Sequence, residues 1–212
     1  MEEKKLTEQE SLALIAEMIR KTKKRTGLDR GKGMLVWGYT SVCVAVLVYA
    51  VLMLTQSPKA MCLWALIPLI GWPLQYRFVG REKRTNGEAK SYIDTVSDRL
   101  WLLVSLSELI AFVLCAGFAG FGHCVWILMF LYSLLAVGAA STAQGIILRE
   151  NSLVFGGLSG VAGGLFITAC SIARLPLNAS WMWPLFIACL VLMAVIPGHI
   201  LNCKARRVCS AN

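Results

Sequence analysis

An all-α, polytopic membrane protein is what three features of this chain predict: apolar blocks of span length, a one-sided distribution of Lys and Arg, and tryptophans near the block ends. The composition is 57% hydrophobic and 16% charged over 212 residues, and the mean hydropathy is +0.65. A soluble domain of this size cannot hide so much apolar surface in one core. The apolar residues fall instead in six blocks, residues 34–54, 61–79, 100–121, 124–148, 153–173 and 181–201. Each is close to the ~20 residues that a helix needs to cross hydrocarbon. The connections after the first, third, fourth and fifth blocks are brief, so six transmembrane helices are expected as short-looped hairpins.

Orientation follows from the basic residues, because Lys and Arg near span ends are retained in the cytoplasm. Residues 1–33 carry nine of the 21, the stretch 77–99 six, Arg149 one, and the tail Lys204, Arg206 and Arg207; Lys59 and Arg174 alone fall on the other side. Both termini are therefore expected in the cytoplasm. The organisation that results is a cytoplasmic segment 1–33, a membrane domain 34–203 and a basic tail 204–212. Trp37, Trp64, Trp101, Trp126, Trp181 and Trp183 lie near block ends, where an amphipathic ring suits the headgroup layer. The net charge of +9 is then explained by the membrane surface, with no reason to invoke nucleic acid.

Ahead of the first block, Thr7 and Glu10 have the spacing of a capping box, and Leu12, Ile15, Ala16 and Ile19 recur on one helical face. Gly27 is the expected stop. This cytoplasmic amphipathic helix can dock a protein partner or lie on the membrane, while Arg20, Lys21, Lys23, Lys24 and Arg25 engage anionic headgroups. Residues 91–99 are expected to extend the third span as a helix.

The eight cysteines lie mostly within spans and form no CxxC pair, so they read as small apolar filler. Cys62 and Cys124 come near the same face and are candidates for pairing. No metal site and no cofactor is expected.

The segments EEKKLTEQESLALIAEMI, WGY at the start of span one, IPLIG in span two, AQGIILRENSLVFGG across spans four and five, and IPGHILN near the end carry a likeness. In these the chain resembles a group of uncharacterised bacterial inner-membrane proteins of similar length. The resemblance implies the same layout, an N-terminal helix followed by several spans, in the bacterial inner membrane. It carries no activity and no catalytic residues.

Two constellations bear on function. In span five, VFGGLSGVAGGLF sets Gly156, Gly160 and Gly164 four residues apart, beside a second row of Ser159 and Gly163. Such a surface lets helix backbones approach in lipid, where packing replaces the hydrophobic drive. The same stretch contains GLSG, which is similar to the GxSG of rhomboid intramembrane proteases, and span six contains His199. A Ser159–His199 pair is thus a hydrolase alternative. Against it, the rhomboid serine span is the fourth, its site opens outward, and span two here lacks His-x-x-x-Asn. With no HExxH, Asp-rich or P-loop motif either, an enzyme is not expected.

The second constellation is Glu108, in the middle of WLLVSLSELIAFVLC. A charge at a helix centre costs about 2.5–3.5 kcal/mol, which the surrounding Leu, Ile, Phe and Val offset at roughly 0.3–0.6 each. Glu108 shares a helical face with Trp101, Ser105, Phe112 and Cys115. At about 1.5 Å per residue, it lies some 12 Å below the cytoplasmic edge, where Ser141, Thr142 and Gln144 of span four come level and His199 is somewhat shallower. Two roles follow: a neutral carboxyl that glues helices together, or a proton or cation site. The expected function is an interaction or regulatory module, with a small proton-coupled transporter or channel working through Glu108 as the alternative.

Overall fold

The computed structural model describes residues 8–80, 92–177 and 179–210. Every element among them is helical. The chain opens with α1 (Glu8–Thr55) and continues through a 3-10 segment (Pro58–Ala65), α2 (Leu66–Gln75) and a π turn (Tyr76–Gly80). Then come α3 (Tyr92–Gly120), α4 (Ile127–Leu148) and α5 (Asn151–Ile172). A last composite helix joins α6 (Ala179–Leu190), a π turn (Val191–Val195) and α7 (Ile196–Ser210). Among the described residues, five helices are long and apolar enough to cross a membrane: Gly31–Thr55, Tyr92–Gly120, Ile127–Leu148, Asn151–Ile172 and Ser180–Arg206.

A proline stands at or near each segment that is not plain α-helix. Pro58 starts the 3-10 segment, where Ser57 Oγ accepts from the Lys59 amide at 3.4 Å. Pro73 sits inside α2, and the π turn follows within three residues. Pro197 follows the second π turn. At Pro197 the ring leaves the Met193 carbonyl, inside the second π turn, without its usual donor, and a wider turn is one way for the ladder to adjust; the carbonyl freed by Pro73 is that of Leu69, ahead of the first π turn, which this does not explain.

Gly27 does not stop the first helix; α1 runs through it to Thr55. A glycine inside a helix costs roughly 1 kcal/mol relative to alanine, far less than a proline, and this one has no breaker beside it.

Neighbouring helices run antiparallel, and in several pairs glycine sets the spacing. Between α4 and α5, a Cβ built on Gly138 would fall 2.8 Å from the Gly157 carbonyl oxygen, and one on Gly145 would fall 2.7 Å from the Val154 amide. The turn between them is tight: Arg149 adopts the left-handed conformation at φ 55°, and the Glu150 amide donates to the Gly145 carbonyl at 2.9 Å. The first and last helices approach in the same way. A Cβ on Gly31 would lie 3.1 Å from the Asn202 amide, and one on Gly38 would lie 3.1 Å from Ala194 Cβ.

The segment 58–80 turns back along α1. The Trp37 ring lies so close to Gly71 that an added Cβ would come within 2.6 Å of it, and Gln75 is level with Gly33 near the start of the first span. At the other end of the bundle the core is aromatic. Trp64 and Trp183 stack with ring planes 7° apart, and Phe130 and Phe186 meet them edge-on. This corrects the headgroup role expected of three tryptophans, because Trp64, Trp126 and Trp183 are all buried in the bundle. Rings that can stack on one another inside the bundle gain more contact than a ring set singly against lipid.

Candidate functional site

Several polar residues of the membrane-length helices lie along the seam between α3 and α4. On α3, Ser97, Trp101, Glu108 and Cys115 recur at four- and seven-residue steps, which keeps them on one face. Trp101 Nε1 donates to Gln144 Oε1 at 2.8 Å. Two turns further into the bundle, Ser133 Oγ donates to Glu108 Oε2 at 2.8 Å. Beyond that, Cys115 Sγ approaches the Val125 carbonyl at 3.6 Å. Glu108 is half-buried, and its Oε1 is enclosed with no hydrogen-bond partner among the described residues. Ser97 and Ser141 also carry enclosed hydroxyls without a partner.

Glu108 therefore meets the helix expected of it through a different residue. Gln144 is taken by Trp101, Thr142 Oγ1 donates to the Gly138 carbonyl at 2.9 Å, and Ser141 is buried without a partner. The correction has a simple cause. Depths counted from each predicted block end set Glu108 opposite residues 141–144, whereas the Trp101–Gln144 bond fixes the register about two turns away. Ser105, on the same face, donates to its own helix at the Trp101 carbonyl, 2.8 Å away. Ser133 was legible in principle, because it lies eight and eleven residues before Ser141 and Gln144, a helical spacing that continues their face.

His199 belongs to another seam. Its Nε2 lies 2.7 Å from the Tyr39 hydroxyl, linking α7 to α1, and both side chains are exposed on the bundle surface. Ser159 Oγ donates to the Gly156 carbonyl at 2.6 Å, so the hydrogen bonds of Ser159 and His199 run to different partners and do not join them.

The span-five glycines divide between two neighbours. A Cβ on Gly157 would fall 2.3 Å from Thr142 Oγ1 and 2.5 Å from the Gly138 oxygen, both on α4. One on Gly164 would fall 2.9 Å from Leu135, also on α4. On the other side, a Cβ on Gly156 would fall 2.7 Å from the Leu192 carbonyl oxygen, one on Gly160 2.8 Å from Met193 Sδ and one on Gly163 2.5 Å from Cys189 Sγ. The helix is wedged between α4 and the last span.

The side chains of Arg20, Lys21, Lys23, Lys24 and Arg25, expected at lipid headgroups, lie outside the described residues, as does the capping residue Thr7. Cys62 and Cys124 are both free and exposed. At the basic end, Lys204 Nζ pairs with Glu150 Oε2 at 2.5 Å and ties α7 to the α4–α5 turn, a contact that sequence spacing gave no means to find.

The arrangement defines a multi-pass α-helical membrane protein held together by glycine packing and interhelical hydrogen bonds. No family model matches the chain, and no curated protein or solved structure matches it.

Proposed function

We propose that this chain is a six-span protein of the bacterial inner membrane, with both termini in the cytoplasm, that serves as an interaction or regulatory module rather than an enzyme. The observation that carries the reading is how the polar groups are used. Trp101 with Gln144, Ser133 with Glu108 and Tyr39 with His199 each form a pairwise bond between two helices. Such bonds are worth roughly 0.6–2 kcal/mol in a membrane and fix which helices meet. A sixth crossing by segment 58–80 is supported by its return along the length of the first span, from Thr55 to the level of Gly33. It also keeps 19 of the 21 basic residues on one side. Membrane lipids, anionic headgroups included, and a protein bound through the N-terminal helix are the proposed partners.

Two measurements test this. Alkaline phosphatase fused to the C-terminal tail is expected to be inactive; high activity there rules out six crossings. In proteoliposomes carrying a pH-sensitive dye, wild type and Glu108→Gln are expected to behave alike. The second reading, a proton-coupled transporter or channel, has one observation in its favour, the enclosed and unpartnered Glu108 Oε1. A proton flux in wild type that Glu108→Gln abolishes establishes it in place of the module.

A further inference from the structure

We infer that the surface groove between α1 and the last span holds one anionic phospholipid, its phosphate on Arg206 and its acyl ester at the Tyr39–His199 pair. The inference gives a site to the lipid partners proposed above and rests on the membrane reading made there. Its starting point is a pair of polar side chains on a surface that faces lipid. Tyr39 is 48% exposed and His199 is exposed beside it, with the tyrosine hydroxyl 2.7 Å from His199 Nε2. Neither makes a further hydrogen bond among the described residues, so the second ring nitrogen of His199 is left without a partner. A hydrogen-bonding group set against lipid is costly unless something polar meets it.

Depth identifies what can meet it. The last span runs 27 residues, from Ser180 to Arg206. At about 1.5 Å per residue this is roughly 40 Å, the thickness of a bilayer with both headgroup layers. Arg206 therefore stands among the headgroups. His199 lies two turns deeper, about 10 Å, at the floor of a headgroup layer about 5–8 Å thick. The polar groups that a lipid offers at that depth are its ester carbonyls, which accept from an N–H. The Arg206 side chain leans the same way, because Cα–Cβ bonds tilt toward the helix N-terminus, the end of this span away from Arg206.

Below that level the groove is apolar. Gly38 and Gly198, the chain neighbours of Tyr39 and His199, bring the two helices into contact and close its floor. A Cβ on Gly38 would fall 3.1 Å from Ala194 Cβ, and one on Gly198 would fall 3.0 Å from Leu35. Deeper still, the face of α1 that carries Tyr39 presents Cys43 and Val46, and the face of the last span that carries His199 presents Ile196 and Leu192, all exposed. From the membrane edge inward the groove thus offers a guanidinium, a hydrogen-bonding pair and an apolar strip. A phospholipid has the same order of phosphate, ester and acyl chain.

Charge selects among lipids. Neither Gly31–Thr55 nor Ser180–Arg206 contains an Asp or a Glu. Lys204 is paired with Glu150, whereas Arg206 is exposed and makes no ion pair among the described residues. A guanidinium fits a phosphate with two parallel hydrogen bonds. A zwitterionic headgroup adds an ammonium beside that guanidinium, so a net-anionic headgroup is favoured. A second copy packed on this face would set Arg206 against Arg206, with no carboxylate in either span to separate them.

The test is native mass spectrometry of the full chain released from nonionic detergent, titrated with phosphatidylglycerol or with phosphatidylcholine of the same acyl chains. Wild type is expected to bind one phosphatidylglycerol about fivefold more tightly than phosphatidylcholine, the effect of roughly 1 kcal/mol per basic residue at a membrane surface. Arg206 is exposed, so Arg206→Gln is expected to fold as wild type and to lose that preference while keeping its affinity for phosphatidylcholine. His199→Phe, which keeps a ring but no N–H, is expected to weaken both lipids alike, by about threefold. Arg149→Gln, which removes an exposed basic residue outside the groove, is expected to change neither. Equal binding of the two lipids by wild type, or an equal loss from Arg149→Gln and Arg206→Gln, overturns the inference. Competition by glycerol phosphate, the headgroup without its chains, overturns it in favour of a free phosphate, and a dimer that His199→Phe abolishes overturns it in favour of a second copy. None of these outcomes bears on the phosphatase fusion or the dye flux, so the module reading stands or falls separately.

Discussion

The α4–α5 hairpin and α3 are helices of similar apolar character that are secured in different ways. In the most apolar window of α5, 44% of residues are buried, whereas in that of α3 only 11% are. The hairpin closes on glycine, with Gly138, Gly145 and Gly157 admitting the partner backbone so closely that no Cβ fits. α3 has no such surface and is held to α4 by Trp101–Gln144 and Glu108–Ser133 at separate heights. Shape therefore fastens one region and hydrogen bonds fasten the other. Where a helix offers its neighbour little to pack against, as α3 does, a carboxyl and a hydroxyl make the contact instead.

The contrast is broken most severely at Gly157. Gly157→Leu is expected to yield no folded protein, and Gly157→Ala to lose about 2 kcal/mol or more, since the atoms in the way include backbone. Reversible unfolding in mixed detergent micelles measures this; a Gly157→Ala protein as stable as wild type would show that the hairpin is not closed by shape. Gly160→Ala should cost less, about 1 kcal/mol, because the nearest obstacle is the flexible thioether of Met193. Gly160→Leu should cost more than either alanine variant.

On the other side of the comparison, Glu108→Leu is expected to lose about 1 kcal/mol, and Glu108→Gln, which keeps a polar partner for Ser133, to stay close to wild type. A double-mutant cycle of Glu108→Leu with Ser133→Ala should return a coupling of about 0.6 kcal/mol or more. Zero coupling would mean that α3 is fastened elsewhere. The smallest effect belongs to Lys204→Ala, below about 1 kcal/mol, because the ion pair is partly exposed; most of that should vanish in 1 M salt.

How far these regions could be read from the sequence depends on which contact each position makes. Lipid-facing stretches such as Leu102, Leu103, Leu106 and Ile110 declare themselves by composition, and so do the span limits: residues 124–148 and 153–173 were expected where Ile127–Leu148 and Asn151–Ile172 lie. Helix-to-helix register is a different matter. Residue types along α4 do not reveal that Trp101 lies opposite Gln144, and a shift of two turns moves the partner of Glu108 from Ser141 to Ser133. The tryptophans misled for a related reason, since Trp64 and Trp183 stand near span ends, as interfacial rings do, yet stack on each other inside. Gly27 resembled a stop because its cost is local, whereas the continuity of α1 is a property of the whole helix.

The contact between α1 and α7 joins helices far apart in sequence, and this sets an order of assembly among the described helices. The α4–α5 hairpin closes on itself through local contacts, Gly138 and Gly145 against Gly157 and Val154 across a two-residue turn, so those contacts can form while the rest is still being made. α1 has to wait. Its glycine face at Gly31 and Gly38 receives Asn202 and Ala194 only after the last of these spans has left the ribosome. Until then that face of α1 is unpacked. A chain cut short before α7 therefore leaves that face open, exposed to whatever holds or degrades unassembled helices.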